Sequence, residues 1–149
     1  AVKIAKDAGL KVFTPFIFGI PGETYDEALQ TIEFACDLNP DVANFHSLTP
    51  FPGTELYENI EKYGKISGDL TDFTYQGAAF VPYTMTRDEI RRLRQLAFRR
   101  FYSRPLFILK RISALRNSDD LRAAFIGLKS ILWLWLRRDL FIRRQTSEK

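Results

Sequence analysis

Cysteine is almost missing from this chain. Among its 149 residues, Cys36 stands alone. One cysteine closes no internal disulfide, and it cannot supply a four-cysteine zinc site or a self-contained iron–sulfur cluster. Histidine is as scarce, with His46 the single example. No run of about 18 or more apolar residues occurs, so no ordinary membrane span is expected. No apolar h-region follows the first residues, so no signal peptide is expected either. Arginine does not occur before residue 87.

What is present is apolar enough to fold. Hydrophobic residues make up 46% and charged residues 27%, which excludes disorder as the default. The net charge of +4 conceals a split. Residues 1–86 carry five lysines against twelve acids; residues 87–149 carry seventeen basic residues against six acids. An acidic half joined to a basic half predicts two parts with different surroundings. Ala1–Gly9 already reads as mid-helix, so the chain is expected to be a piece of a longer protein.

Val2–Ala8 reads as helix, closed by Gly9 as a left-handed cap. Lys11–Phe18 (KVFTPFIF) fits a short buried strand, with Pro15 an oddity because proline lacks a ladder donor. GIPGET (Gly19–Thr24) is a tight turn, and Thr24 with Glu27 forms a capping box for a helix to about Leu38. Ala28, Leu29, Ile32, Ala35 and Cys36 give that helix one apolar face. Asn39-Pro40 stops it, and Asp41–Leu48 reads as a second strand. Strand, helix, strand is a βαβ unit, which implies parallel pairing. TPFPGT (Thr49–Thr54) then repeats the Pro-Gly turn and threonine cap, before a short helix over Glu55–Tyr63.

Residues 64–83 lack periodicity and are expected to be irregular. Thr86 with Glu89 caps a helix to about Tyr102, Pro105–Leu115 reads as another, and a last helix is expected from Asp119 to about Ile142. The expected fold class is therefore α/β: a fragment of a TIM-like partial (β/α) barrel, with about two parallel strands, followed by an α-helical extension. The divisions are 1–63 for the barrel portion, 64–85 for the connection and 86–149 for the basic helices.

The chemistry-bearing positions gather at strand ends, where ligands bind in sheets and barrels of this kind. GIPGET is neither a Walker loop nor a GxGxxG turn. A tight βα turn with a good cap explains it equally well. Gly19 and Gly22 permit close approach of a ligand to backbone, and Glu23 stands beside the turn either as a helix-start acid or as a contact to a hydroxyl or amine. By parity Asn44, His46 and Leu48 share one strand face; His46 is either a hydrogen-bonded structural histidine or a proton carrier. Cys36, on an apolar helix face, reads as a small core residue.

FIFGIPGET (Phe16–Thr24), a helix with TIEFA (Thr31–Ala35), and a strand ending in LTPFPGTELY (Leu48–Tyr57) together resemble the later part of a radical S-adenosylmethionine (radical SAM) domain. The helices with RRFYSRP (Arg99–Pro105) are similar to the tail of its cobalamin-binding branch, which includes methyltransferases and the anaerobic ring cyclase of chlorophyll synthesis. The resemblance implies a partial (β/α)₆ barrel with Lys11–Phe18 as fifth strand and Asp41–Leu48 as sixth. It implies that Ile17 and Gly19, with Phe18, Gly22 and Glu23 beside them, lie against the adenine of S-adenosylmethionine, and that His46 to Leu48 contact the same ring. Pro15 departs from the glycine the family has there. The family's 4Fe–4S cluster is held by a CxxxCxxC loop that this chain lacks, so the ligands are expected outside it. Cobalamin in the parent protein is a further implication, as is a 5′-deoxyadenosyl radical that abstracts hydrogen from a small-molecule substrate. The fragment alone is expected to be inactive.

Two other readings compete. The run Ser130–Arg144 (SILWLWLRRDLFIRR) sets tryptophans beside arginines, so residues 127–144 fit either contact with a membrane surface or docking on protein. That makes the chain a binding module with a basic tail, cytoplasmic or peripheral to the inner face of a membrane. Alternatively, the turns belong to an unrelated (β/α) enzyme with phosphate-binding strand ends. Nucleic acid is not expected as a partner: the basic residues are spread over several helices and no RNA-binding signature appears.

Overall fold

A computed structural model describes residues 1–74 and 77–113. The expected helix Asp119–Ile142 and the segment 127–144 lie outside the described residues. The chain divides into two compact units, Ala1–Phe98 and Arg99 onward. The fold is α/β, with a parallel two-strand sheet and helices.

In the first unit, α1 (Val2–Asp7) ends in a Schellman turn. Gly9, at φ +79°, donates to Lys6 C=O at 2.9 Å, and Leu10 donates to Ala5 C=O at 3.0 Å. β1 (Phe13–Phe18) and β2 (Val42–Ser47) pair in parallel, in a register that sets Phe13 against Val42 and Ile17 against His46. α2 (Tyr25–Leu38) connects them. Its capping box is complete: Thr24 Oγ1 accepts from Glu27 N–H at 3.3 Å, and the Glu27 carboxylate accepts from Thr24 N–H at 2.8 Å. Asn39, left-handed at φ 49°, closes the helix.

The sheet has one covered face and one open face. Phe18, Ala43 and Phe45 are buried on the covered side, above the Ala28, Ile32 and Ala35 stripe of α2. Phe45 is the hub: its ring stacks on Phe16 at 5.4 Å and Phe18 at 6.0 Å, and meets Phe98 edge-on at 5.3 Å. Phe13, Pro15, Ile17, Val42, Asn44 and His46 alternate onto the other side.

Parity also accounts for Pro15. Val12 and Phe18 accept from Val42 and Leu48, so the even-numbered residues of β1 bond to β2. The nitrogen of Pro15 faces the outer edge of the sheet, where proline is tolerated. On the opposite edge, Phe45 C=O accepts from Arg94 Nε at 3.2 Å.

Two stretches differ from the expectation. The helix expected over Glu55–Tyr63 is α3 (Glu55–Glu58) followed by a 3₁₀ turn at Ile60–Lys62. Asn59 sits at the break and its side chain donates to Glu55 C=O at 3.0 Å, which competes with helix propagation. Residues 64–83 are not wholly irregular. β3 (Gly64–Ile66) and β4 (Phe80–Pro82) form an antiparallel ribbon, with a 3₁₀ turn at Leu70–Asp72 between them. Strands of three residues are too short to print an alternation. Gly64 is required there: a Cβ would lie 2.2 Å from Val81 O and 2.5 Å from the Phe80 ring. Asp72 ties this segment to α4 (Arg87–Tyr102), bonding Ser67 Oγ at 2.6 Å and pairing with Arg87. The Thr86–Glu89 capping box opens α4 as expected.

The second unit begins inside α4 and continues into α5 (Pro105–Ser113). Phe101, Tyr102 and Phe107 form a ring cluster, with centroids 4.9 to 5.4 Å apart.

Candidate functional site

Both parallel strands end in the same device. Ile20-Pro21-Gly22-Glu23 and Phe51-Pro52-Gly53-Thr54 are turns with proline second and a glycine at φ +83° third. Glu23 N–H donates to Ile20 C=O at 3.0 Å, and Thr54 N–H to Phe51 C=O at 3.3 Å. This is type II turn geometry, where the third position requires glycine. Each turn is followed by a threonine N-cap, Thr24 on α2 and Thr54 on α3.

The first turn differs from the second by one residue, Glu23, which stands between glycine and threonine. It does not cap α2. Glu23 is only 6% exposed, and its carboxylate bends back to accept the Gly19 N–H at 2.5 Å. Burial pushes its pKa up, against the lowering pull of the Gly19 and Ile20 N–H groups, with Glu27 adding repulsion. Thr84 Oγ1 donates to the Glu23 carbonyl. Gly19 itself has φ +78°, and a Cβ there would meet Ile90 Cδ1 at 3.1 Å. The turn is therefore braced by residues more than sixty positions away.

Ile17 and His46 stand opposite each other in register on the open face, with Ile17 48% exposed. Leu48, by parity on that same face, donates its N–H to Phe18 C=O at 2.8 Å and carries the sheet pairing one residue further. Phe18 points the other way and is fully buried, so only its backbone reaches the strand end. Gly22 lies at the turn tip, with open space where a Cβ would be. The structure thus brings Ile17, His46 and Leu48 onto one face and Gly19, Gly22 and Glu23 into the turn that follows β1. Thr84 and Ile90 had no signal in the sequence, because their role is visible only through contacts distant along the chain. Among the described residues, no three His, Cys, Asp or Glu side chains gather as a metal site. Cys36 is half-buried on α2.

The chain is similar to several curated proteins, some of which carry enzyme names. It is 36% identical to an uncharacterized methyltransferase of Pyrococcus horikoshii over 117 residues, 75% of this chain and 25% of that protein. It is 28% identical to the anaerobic magnesium-protoporphyrin IX monomethyl ester cyclase of Rubrivivax gelatinosus over 108 residues, 72% of this chain and 19% of that protein. Protein YhcC of Escherichia coli K12 is 31% identical over 83 residues, 55% of this chain and 26% of that protein. The chain spans about a quarter or less of the length of these curated relatives. No family model matches it. No helix among the described residues is long and apolar enough to cross a membrane.

Proposed function

We propose that this chain is a C-terminal portion of a radical SAM enzyme of methyltransferase or cyclase type, and that it supplies the adenine side of the S-adenosylmethionine site. The observation that carries the reading is the pairing of Ile17 with His46 on the open sheet face, two residues along the chain from where the Gly19–Thr24 turn begins. An exposed branched aliphatic side chain beside an imidazole suits an aromatic base that needs one apolar face and one polar edge. The names of the relatives point the same way.

The fit is partial by design. Ile17 and Leu48 would pack on the base, while His46 and the backbone of Gly19 would set its edge. The 4Fe–4S cluster would be held outside this chain, since a single cysteine cannot ligate it. When bound, the cofactors supply reductive cleavage of S-adenosylmethionine and hydrogen abstraction from the substrate. The residues here orient the nucleoside and exclude water. A phosphate at the first turn is disfavoured, because the Glu23 carboxylate already occupies the Gly19 N–H that a phosphate would use.

The test uses the full-length protein, reconstituted anaerobically with iron and sulfide. Formation of 5′-deoxyadenosine from S-adenosylmethionine and a one-electron reductant is expected. A reconstituted protein with stoichiometric cluster that forms none would overturn the reading.

A further inference from the structure

The turn after β1 is held by a segment from far along the chain. β4 ends at Pro82 and α4 begins at Arg87, so Tyr83 to Thr86 join them. Both ends of the join are fixed. Tyr83 N–H donates to Tyr63 C=O at 3.0 Å, and Met85 N–H to Pro82 C=O at 3.3 Å. The Thr86–Glu89 capping box holds the other end. Thr84 stands between them, and its hydroxyl donates to Glu23 C=O.

Glu23 therefore has three anchors. Its N–H donates to Ile20 C=O at 3.0 Å, its C=O accepts from Thr84, and its carboxylate accepts from Gly19 N–H at 2.5 Å. The two main-chain bonds set the direction of the Cα–Cβ bond, and that direction decides whether the carboxylate reaches Gly19. Gly19 is buried and is backed by the same distant segment: a Cβ on it would lie 3.1 Å from Ile90 Cδ1 and 3.7 Å from Pro82 Cδ. Thr84 itself is exposed, so losing its hydroxyl opens no cavity in the core and changes global stability little. Function is more sensitive, because a site group misplaced by about 1 Å can cost up to about a hundredfold.

We propose that Thr84 is a positioning residue for the cofactor site: acting through Glu23, it fixes the Gly19 backbone against which S-adenosylmethionine is set. The inference rests on the enzyme reading above. The test uses the full-length protein, reconstituted anaerobically, with cluster content, KM for S-adenosylmethionine and kcat for 5′-deoxyadenosine formation measured for each form. Thr84→Val keeps the shape and removes the donor. It is expected to raise KM about fivefold or more, with kcat within about twofold and a full cluster, the pattern of lost uniform binding. Thr84→Ser restores the donor and is expected to stay within about twofold of wild type. Glu23→Ala is expected to raise KM as well, and adding Thr84→Val to it to raise KM no further, because the hydroxyl acts through that residue. Thr84→Val and Thr84→Ser decide the matter alone if Glu23→Ala takes up no cluster.

A wild-type KM in Thr84→Val overturns the proposal, as does a loss that Thr84→Ser shares. A full additional loss in the double variant overturns it too, since the hydroxyl would then act elsewhere. A fall in kcat or cluster content in place of the rise in KM makes Thr84 a folding residue and also refutes it. In each of these cases the wild type is active and the enzyme reading stands. A wild type with stoichiometric cluster that forms no 5′-deoxyadenosine sinks that reading, and this inference with it.

Discussion

The Glu23 carboxylate accepts a hydrogen bond from the Gly19 N–H, closing the β1–α2 turn on itself. Glu23 is the residue that the second Pro-Gly turn lacks, and it converts a repeated connection into one with a buried acid. Its raised pKa sets the direction of the pH response. A carboxyl with a raised native pKa holds its proton more readily folded than unfolded, so its contribution is largest below about pH 4.3 and declines as pH rises through the native value.

Glu23→Gln is expected to keep the contact to Gly19 while removing that slope. Glu23→Ala leaves a buried N–H without its acceptor and is expected to cost about 1–3 kcal/mol. Urea unfolding of the chain across pH reads both. A Gln variant with the wild-type slope would refute the assignment.

Asp72 responds in the opposite sense. Its hydrogen bond from Ser67, then that from Arg87, holds its carboxyl below the usual range. The stability it adds is present above about pH 3.9 and is lost as pH falls through the native value. Asp72→Asn is expected to be less stable than wild type near neutral pH, with the gap narrowing in acid. The same unfolding series measures it.

Glycines at different places should differ in cost. Gly64→Ala puts a methyl within 2.2 Å of Val81 O and is expected to cost at least 1–3 kcal/mol, about the usual penalty for overpacking. Gly22→Ala meets open space and only the positive φ opposes it, so about 1–2 kcal/mol is expected. Thermal melts that rank the two the other way would contradict the ribbon geometry.

Much of this was legible because it is local. The Thr24–Glu27 and Thr86–Glu89 boxes and the Pro-Gly turns announce themselves within a few residues. The β3–β4 ribbon did not, since its three pairs are too brief for a period. Glu23 was legible as a residue of interest but not in its role, which depends on the main chain curling back to it. The brace from Thr84 and the edge contact from Arg94 were illegible for a simpler reason: nothing near either residue encodes a partner about fifty or more positions away.

Ile17 and His46 separate structure from binding. Ile17 is half exposed, so Ile17→Asp is expected to leave the melting temperature within a few degrees. In the full-length protein the same change, or His46→Ala, is expected to weaken S-adenosylmethionine binding about tenfold or more, read by titration calorimetry. Unaltered binding in both would remove this face from the cofactor site.

The two margins of the β1–β2 sheet are blunted by different means. A guanidinium holds the Phe45 carbonyl on one side, and Pro15 removes a donor from the other. A foreign strand arriving at either margin finds a row with a missing rung, so this sheet is a poor seed for amyloid-like stacking. Pro15 belongs to the open face and Phe45 to the covered one, so the two margins are guarded from opposite sides of the same sheet, and Pro15→Val is expected to weaken that protection.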